Sequence, residues 1–174
     1  YATQQGATIA TETFDSYAQY SFMGASLSAT VGGVTWSLIG TDGGALFSGY
    51  GDMSTNTMET DMQFTFNPPV NGISANVYNS NISGYFTPGS MDVFFSNGTV
   101  INMAINAQTD VIGYYANGET ISSITLNSYS GWPTIDNLAM AYSGSSNGSA
   151  VVINDGTVVP VSYYADLDGD DFGA

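Results

Sequence analysis

The sequence predicts an all-β fold: an antiparallel β-sandwich or jelly roll of about ten strands. Three observations support this prediction. Apolar and polar residues alternate strictly in several short segments, helical periodicity is nearly absent, and turn-forming residues recur roughly every 8–15 residues.

The strand signals follow one another along the chain. Residues 34–38 and 58–66 alternate apolar and polar side chains, so each segment would bury one of its two faces. Residues 73–77 repeat the pattern after the breaks at Pro68-Pro69 and Asn71-Gly72. The sequence therefore predicts a series of half-buried strands.

Two dipeptides predict tight hairpins. Asn97-Gly98 separates residues 91–95 from residues 100–105, and Asn-Gly favours the positive φ angles of a two-residue turn. Asp155-Gly156 stands between two apolar segments near the C-terminus in the same way. We expect an antiparallel strand pair around each dipeptide.

The chain divides into a central domain and four flanking segments. Residues 11–142 form the predicted sandwich, preceded by an N-terminal strand or arm at residues 1–10. Residues 143–149 read Ser-Gly-Ser-Ser-Asn-Gly-Ser and are typical of a flexible link. A C-terminal hairpin (residues 150–162) and an acidic tail (residues 163–174) follow.

The charge composition excludes several classes of function. The 174 residues include 15 acidic side chains and no Lys, Arg, His or Cys, which gives a net charge of −15. No cationic side chain can clamp a phosphate, so nucleic acid is not an expected partner. The common nucleophilic triads and His- or Cys-ligated zinc sites are also impossible, and no motif indicates a carboxylate-based glycosidase. We therefore expect a non-enzymatic protein.

The acidic tail is the first candidate metal site. Asp166, Asp168 and Asp170 alternate around Gly169, and carboxylates at positions 1, 3 and 5 can converge on one Ca²⁺. The alternative is a solvated acidic end that binds no metal. No apolar run approaches the 18 or so residues of a membrane span, so none is predicted.

Several short motifs occur in a fixed order along residues 11–142. They are Thr-Phe-Asp at 13–15, Gly-Gly-Val-Thr-Trp at 32–36, Phe-Asn-Pro-Pro-Val-Asn-Gly at 66–72, Ser-Ile-Thr at 123–125 and Ile-Asp-Asn-Leu at 135–138. In this order they resemble the β-sandwich modules of secreted bacterial proteins, notably those that carry the PEP-CTERM sorting tail. The resemblance implies an extracellular, cell-surface protein.

The acidic tail is similar to the start of a thrombospondin type-3-like calcium repeat, which implies that the natural polypeptide continues past Ala174. The likeness to carbohydrate-binding jelly rolls implies a second calcium site, because their first and last strands share a structural Ca²⁺. Glu12 and Asp136 stand on the corresponding segments here, with Asp15 nearby. The alternative is that Asp15 and Asp136 cap turns by hydrogen bonds to the backbone.

Trp132 and Tyr129 are the candidate ligand-binding residues. Both lie in a loop rich in Gly and Pro, where an aromatic ring could stack on the face of a sugar. The alternative is that Trp132 packs against the protein itself.

Two functions agree with these observations. The first is a non-enzymatic structural or adhesive module: a subunit of an extracellular filament or matrix assembly, stabilised by calcium. Its copies would form a homo-oligomer by adding terminal strands to open sheet edges. The second is a carbohydrate-binding, lectin-like module of a larger secreted protein, which rests on Trp132 and on analogy of fold.

Overall fold

The computed structural model describes residues 7–142, except residues 59 and 117, together with the backbone of residues 151–154 and 157–160. These residues contain strands and turns but no helix, and the strands form two antiparallel sheets. The predicted all-β class is confirmed, and the arrangement of the two sheets fits a β-sandwich. Within the described ranges, no helix is long and apolar enough to cross a membrane.

Sixteen strands are present in the described residues. In chain order they are β1 (Thr8–Glu12), β2 (Ser21–Gly24), β3 (Ser26–Val31), β4 (Val34–Gly40), β5 (Leu46–Ser48), β6 (Met53–Thr55), β7 (Met62–Val70), β8 (Gly72–Ser80), β9 (Phe86–Thr87), β10 (Gly89–Phe95), β11 (Val100–Ile105), β12 (Val111–Tyr115), β13 (Ile121–Ser128), β14 (Trp132–Tyr142), β15 (Val151–Asn154) and β16 (Thr157–Pro160).

The strands are divided into a larger and a smaller sheet. The larger sheet has the order β16-β15-β12-β8-β14-β6-β5-β2, with β1 paired to β14 and β9 paired to β8. The smaller sheet has the order β11-β10-β13-β7-β4-β3. The hairpin predicted at Asn97-Gly98 is present, since β10 and β11 pair in antiparallel fashion. Its turn differs from the predicted two-residue turn: Gly98 has a φ of 89°, but Asn97 does not have a positive φ.

The core takes side chains from both sheets. Trp36, Leu38 and Phe64 of the smaller sheet and Val77 and Ile135 of the larger sheet are 0% exposed and belong to one apolar cluster. Trp36, Leu38 and Phe64 alternate with more exposed residues along their strands, whereas Val77 and Ile135 each have a buried neighbour, Tyr78 and Thr134 respectively. The period-2 pattern thus places one face of each sheet against the other.

The strand predicted at residues 58–66 begins later than the alternation indicates. β7 starts at Met62, and Met58 is 46% exposed. The segment before the strand forms a turn in which the Thr60 amide donates to the Thr57 carbonyl (3.3 Å) and the Thr60 hydroxyl donates to Asp42 (2.6 Å). These local hydrogen bonds engage Thr57 and Thr60 in a turn ahead of the strand.

The described parts of the two terminal segments, residues 8–12 and residues 151–154 with 157–160, pair with other strands of this chain. β1 runs antiparallel to β14, with Thr8 opposite Tyr142 and Glu12 opposite Leu138. The predicted boundary between residues 10 and 11 therefore falls inside a strand. β15 pairs with both β16 and β12. The link at residues 143–149 and the tail with Asp166, Asp168 and Asp170 lie outside the described residues.

Candidate functional site

Five neighbouring strands of the larger sheet carry one row of side chains. The register places Tyr78 on β8 opposite Thr134 on β14, and Thr134 opposite Ser54 on β6. Ser54 is opposite Phe47 on β5, which is opposite Phe22 on β2. Directly opposed residues share one face of an antiparallel pair, so these five side chains lie on the same face.

Apart from Tyr78, which is 1% exposed and belongs to the core cluster, this row faces away from the core. Ile135 and Met53, which oppose each other at the adjacent register position, are fully buried in the core cluster. Successive side chains of a strand point to opposite faces, so the row occupies the outer face of the larger sheet. Five strands enclose four inter-strand spacings, so the row spans about 19 Å.

A groove with a volume of about 460 Å³ lies on this face. Its walls are largely aromatic and include Tyr20, Phe22, Phe47, Tyr50, Tyr85 and Trp132. Tyr20 and Tyr50 form an edge-to-face pair with ring centroids 4.5 Å apart, and Phe22 and Phe47 form another at 5.5 Å. Such pairs hold the orientation of their rings while leaving ring faces open to a ligand.

The wall formed by Tyr85 is positioned by its own loop. Asn81 Oδ1 accepts hydrogen bonds from the amides of Ser83 (2.9 Å) and Tyr85 (3.1 Å), and the Asn81 amide donates to the Tyr85 carbonyl (2.9 Å). Gly84, with a φ of 77°, supplies the left-handed conformation that this turn requires. The ring of Tyr85 is nevertheless 73% exposed, so it is available for contact.

The floor of the groove is a chain of buried hydroxyls. Ser80 Oγ lies 2.9 Å from Thr134 Oγ1, which lies 3.2 Å from Ser54 Oγ. The Ser54 hydroxyl also lies within hydrogen-bonding distance of the Pro133 carbonyl (3.1 Å). Ser54, Ser80 and Thr134 are at most 6% exposed, so their mutual hydrogen bonds satisfy hydroxyls that water reaches poorly.

One end of the groove is acidic. Asp52 lines it, and Asp52 Oδ2 accepts a hydrogen bond of 2.5 Å from the Tyr78 hydroxyl. That hydroxyl in turn accepts a hydrogen bond of 3.0 Å from Gln108 Nε2. Burial, together with the Asp52 hydrogen bond, raises the pKa of Tyr78 far above its usual value, so the phenol remains a donor at neutral pH.

Asp136 and Asp15, two of the predicted calcium ligands, lie near this acidic end. Burial raises the pKa of Asp136 above its usual value, and the negative charges of Asp52 and Asp15 raise it further. Asp136 also accepts hydrogen bonds from the backbone (2.6 Å) and the side chain (2.8 Å) of Asn137. These contacts lie within β14, at the register shift between Asp136 and Ala139, rather than in a turn.

Glu12, the third predicted ligand of this site, is engaged elsewhere. Its Oε1 accepts a hydrogen bond from the Phe14 amide (2.9 Å), and its Oε2 accepts one from Trp36 Nε1 (3.2 Å). Glu12 is 8% exposed. Among the residues that the structure describes, no group of three or more acidic side chains has a geometry that would hold a metal ion.

The two residues predicted to bind a ligand are separated by the fold. Trp132 lines the groove. Tyr129 does not: its hydroxyl donates to Asp92 Oδ2 (2.7 Å) on β10 of the smaller sheet, and its side chain is 62% exposed. Tyr129 therefore offers an exposed aromatic ring outside the groove.

The sequence-based prediction missed most of the groove. Tyr20, Phe22, Tyr50 and Tyr85 come from segments that are far apart in the chain, and none was named as a candidate. Proximity to Gly or Ser would not have identified the three tyrosines, because the buried Tyr78 and Tyr114 also stand within three residues of a Gly or Ser.

Comparison of the chain with protein-family models, with curated proteins and with solved structures found no match. Functional inference therefore depends on the geometry and chemistry of the groove.

Proposed function

We propose that the protein is a carbohydrate-binding module whose ligand lies in the aromatic groove of the larger sheet. The observation that carries this proposal is the combination of exposed rings on the walls with accessible polar side chains that line the same groove, namely Asn56, Gln108 and the partly exposed Asp52. Sugars present an apolar C–H face that stacks on aromatic rings, and a rim of hydroxyls that hydrogen-bonds to such polar groups. The groove volume lies within the range typical of ligand sites.

The shape of the groove favours an oligosaccharide over a single sugar. The residues that line the groove run from Ser80 on β8 to Phe22 on β2, which is about 19 Å across five strands. An extended chain of sugars can contact both ends at once. A monosaccharide would use only part of this surface and would gain correspondingly less affinity.

Replacing Tyr85 with alanine should weaken glycan binding about tenfold or more, equivalent to roughly 1.4 kcal/mol. Tyr85 is the most exposed aromatic ring on the groove wall, so its loss removes stacking area without opening a cavity in the core. The measurement is isothermal titration calorimetry with the oligosaccharides that a glycan array selects for the wild-type protein.

Tyr129→Ala is the matched control for this experiment. Tyr129 has a similar exposure, 62% against 73%, but lies outside the groove. Its variant should bind as the wild-type protein does. An array on which no glycan binds, or equal loss in both variants, would contradict the proposal.

A second function, assembly into a filament, is supported by the edges of the smaller sheet. β3 reads Ser-Leu-Ser-Ala-Thr-Val and β11 reads Val-Ile-Asn-Met-Ala-Ile, so neither edge strand has a charged residue or a proline. Charges and prolines commonly protect such edges against pairing with another chain. Pairing of β3 in one copy with β11 in the next would propagate one continuous sheet, an interface that does not close on itself.

Calcium bound by the predicted tail ligands would offset repulsion between copies of charge −15.

Ser28→Lys should reduce assembly if β3 is such an interface. Ser28 is an exposed residue in the middle of β3, and a lysine there would have to be desolvated against the incoming strand. Light scattering after size-exclusion chromatography, with and without Ca²⁺, measures the mass distribution. Ser122→Lys is the control, because Ser122 is exposed on β13, which is paired on both sides. A wild-type protein that remains monomeric at every concentration would contradict this second function.

A further inference from the structure

The acidic end of the groove carries a carboxylate, that of Asp52, of which one oxygen is engaged by a hydrogen bond within the described residues and the other lies against Gly49. Asp52 Oδ2 accepts the hydrogen bond from Tyr78, whereas Asp52 Oδ1 accepts none from any described residue. Asp52 is partly exposed and lines the groove. A carboxylate oxygen in this position can accept a hydrogen bond from a sugar hydroxyl, and hydrogen bonds to charged groups are stronger than those between neutral groups.

No positive charge compensates Asp52. The chain contains no Lys, Arg or His, so no side chain can form an ion pair with it. The nearby groups that interact with this end are the carboxylates of Asp15 and Asp136, whose charges act in the same direction. The remaining polar groups that line this part of the groove, such as Gln108 and Ser54, are neutral. A ligand placed here therefore meets a negative potential.

We propose that the groove is specific for uncharged glycans, and that Asp52 is the residue that determines this specificity. The inference rests on the proposed carbohydrate-binding function and names the class of its ligand. Asp52 Oδ1 accepts a hydroxyl of a neutral sugar. The same carboxylate repels the carboxylate of a uronic acid or the sulfate of a sulfated sugar, which would lose its hydration beside a like charge.

Specificity of this kind depends on rejection as well as on attraction. The aromatic walls do not distinguish a neutral hexose from its uronic acid, because both present the same C–H face. A charged group at the end of the groove does distinguish them, since only the uronic acid places a second negative charge there. Replacing Asp52 with asparagine preserves an oxygen that can accept from Tyr78 but removes the repulsive charge.

The experiment compares two classes of oligosaccharide on wild-type protein and on variants of Asp52 and Asp92, with Tyr85→Ala as the test of groove binding. Neutral hexasaccharides of glucose, xylose, mannose and N-acetylglucosamine form one set, and oligogalacturonate and oligomannuronate form the other. Binding to wild-type protein, Asp52→Asn and Asp92→Asn is measured by calorimetry at low and at high salt. Asp92→Asn is the matched control, because it removes the same charge from β10 of the smaller sheet, outside the groove. Thermal unfolding verifies that each variant is folded.

Wild-type protein should bind at least one neutral chain and neither uronate. Asp52→Asn should weaken neutral binding about tenfold and should bind the uronates measurably, which wild-type protein does not, whereas Asp92→Asn should bind both classes as wild-type protein does. Uronate binding by wild-type protein that matches neutral binding and is lost in Tyr85→Ala would overturn this inference and leave the proposed function intact. If no chain of either class binds, the proposed function itself is overturned.

Discussion

Replacing Trp36 with alanine should lower the free energy of unfolding by about 3–5 kcal/mol. Trp36 is 0% exposed, and its ring contacts those of Phe14 (5.7 Å between centroids), Phe64 (5.8 Å) and Tyr17 (6.5 Å). Alanine would leave a cavity at the centre of this aromatic cluster. It would also remove a hydrogen-bond donor from the buried Glu12 carboxylate, which adds to the loss.

Urea denaturation measures this effect, and the other tryptophan provides the control. The chain has two tryptophans, so each single variant leaves one fluorescent reporter. Trp132→Ala should be clearly less destabilising, because Trp132 is only partly buried on the groove wall. Equal destabilisation by the two variants would contradict the assignment of Trp36 to the core and of Trp132 to the surface.

Much of the fold could be predicted from the sequence because the alternation of apolar and polar residues along a long strand shows which face of that strand is buried. β4 alternates Val34, Trp36 and Leu38 with more exposed residues, and each of the three is 0% exposed in the structure. The Asn97-Gly98 dipeptide correctly located the hairpin of β10 and β11. Alternation is a reliable signal where a strand has one buried and one solvated face.

The short strands could not be predicted from the alternation of apolar and polar residues. β2, β5 and β6 have only three or four residues, which is too few to display a period of two. They are nevertheless the strands that extend the larger sheet beyond β14 and carry Phe22, Phe47 and Ser54 into the groove. The resemblance to PEP-CTERM modules and the jelly-roll connectivity stay predictions.

The composition of the groove depends on contacts that are distant in sequence. Trp132 was a candidate because it was expected in a loop rich in Gly and Pro, but the structure places it at the start of β14. Asp52 and Tyr78 lie 26 positions apart in the sequence. They come into contact because β6 and β8 both pair with β14. A single sequence contains no local signal for such a pair, because strand order in a sheet is set by the packing of the whole domain.

The hydrogen bonds of Glu12 bear directly on the calcium site predicted at Glu12 and Asp136. Glu12 and Asp136 do stand on neighbouring strands, β1 and β14. Both oxygens of Glu12, however, accept hydrogen bonds from N–H groups, so the Glu12 side chain already links the residues after β1 to β4. A carboxylate with two such donors is stabilised without a metal ion.

Replacing Glu12 with alanine should therefore destabilise the fold by about 3 kcal/mol, because it leaves two donors without an acceptor: the Phe14 amide and Trp36 Nε1. Phe14 is 0% exposed and has a φ of 57°, so this segment has little freedom to find another partner.

Glu12→Gln is the matched control. Its amide oxygen can accept from one donor while its NH₂ group faces the other, so we expect an intermediate loss. Urea denaturation of both variants in EDTA and in Ca²⁺ separates the two roles of the carboxylate: equal losses in both solutions support hydrogen bonding alone, and a larger loss in Ca²⁺ would show that Glu12 is also a metal ligand.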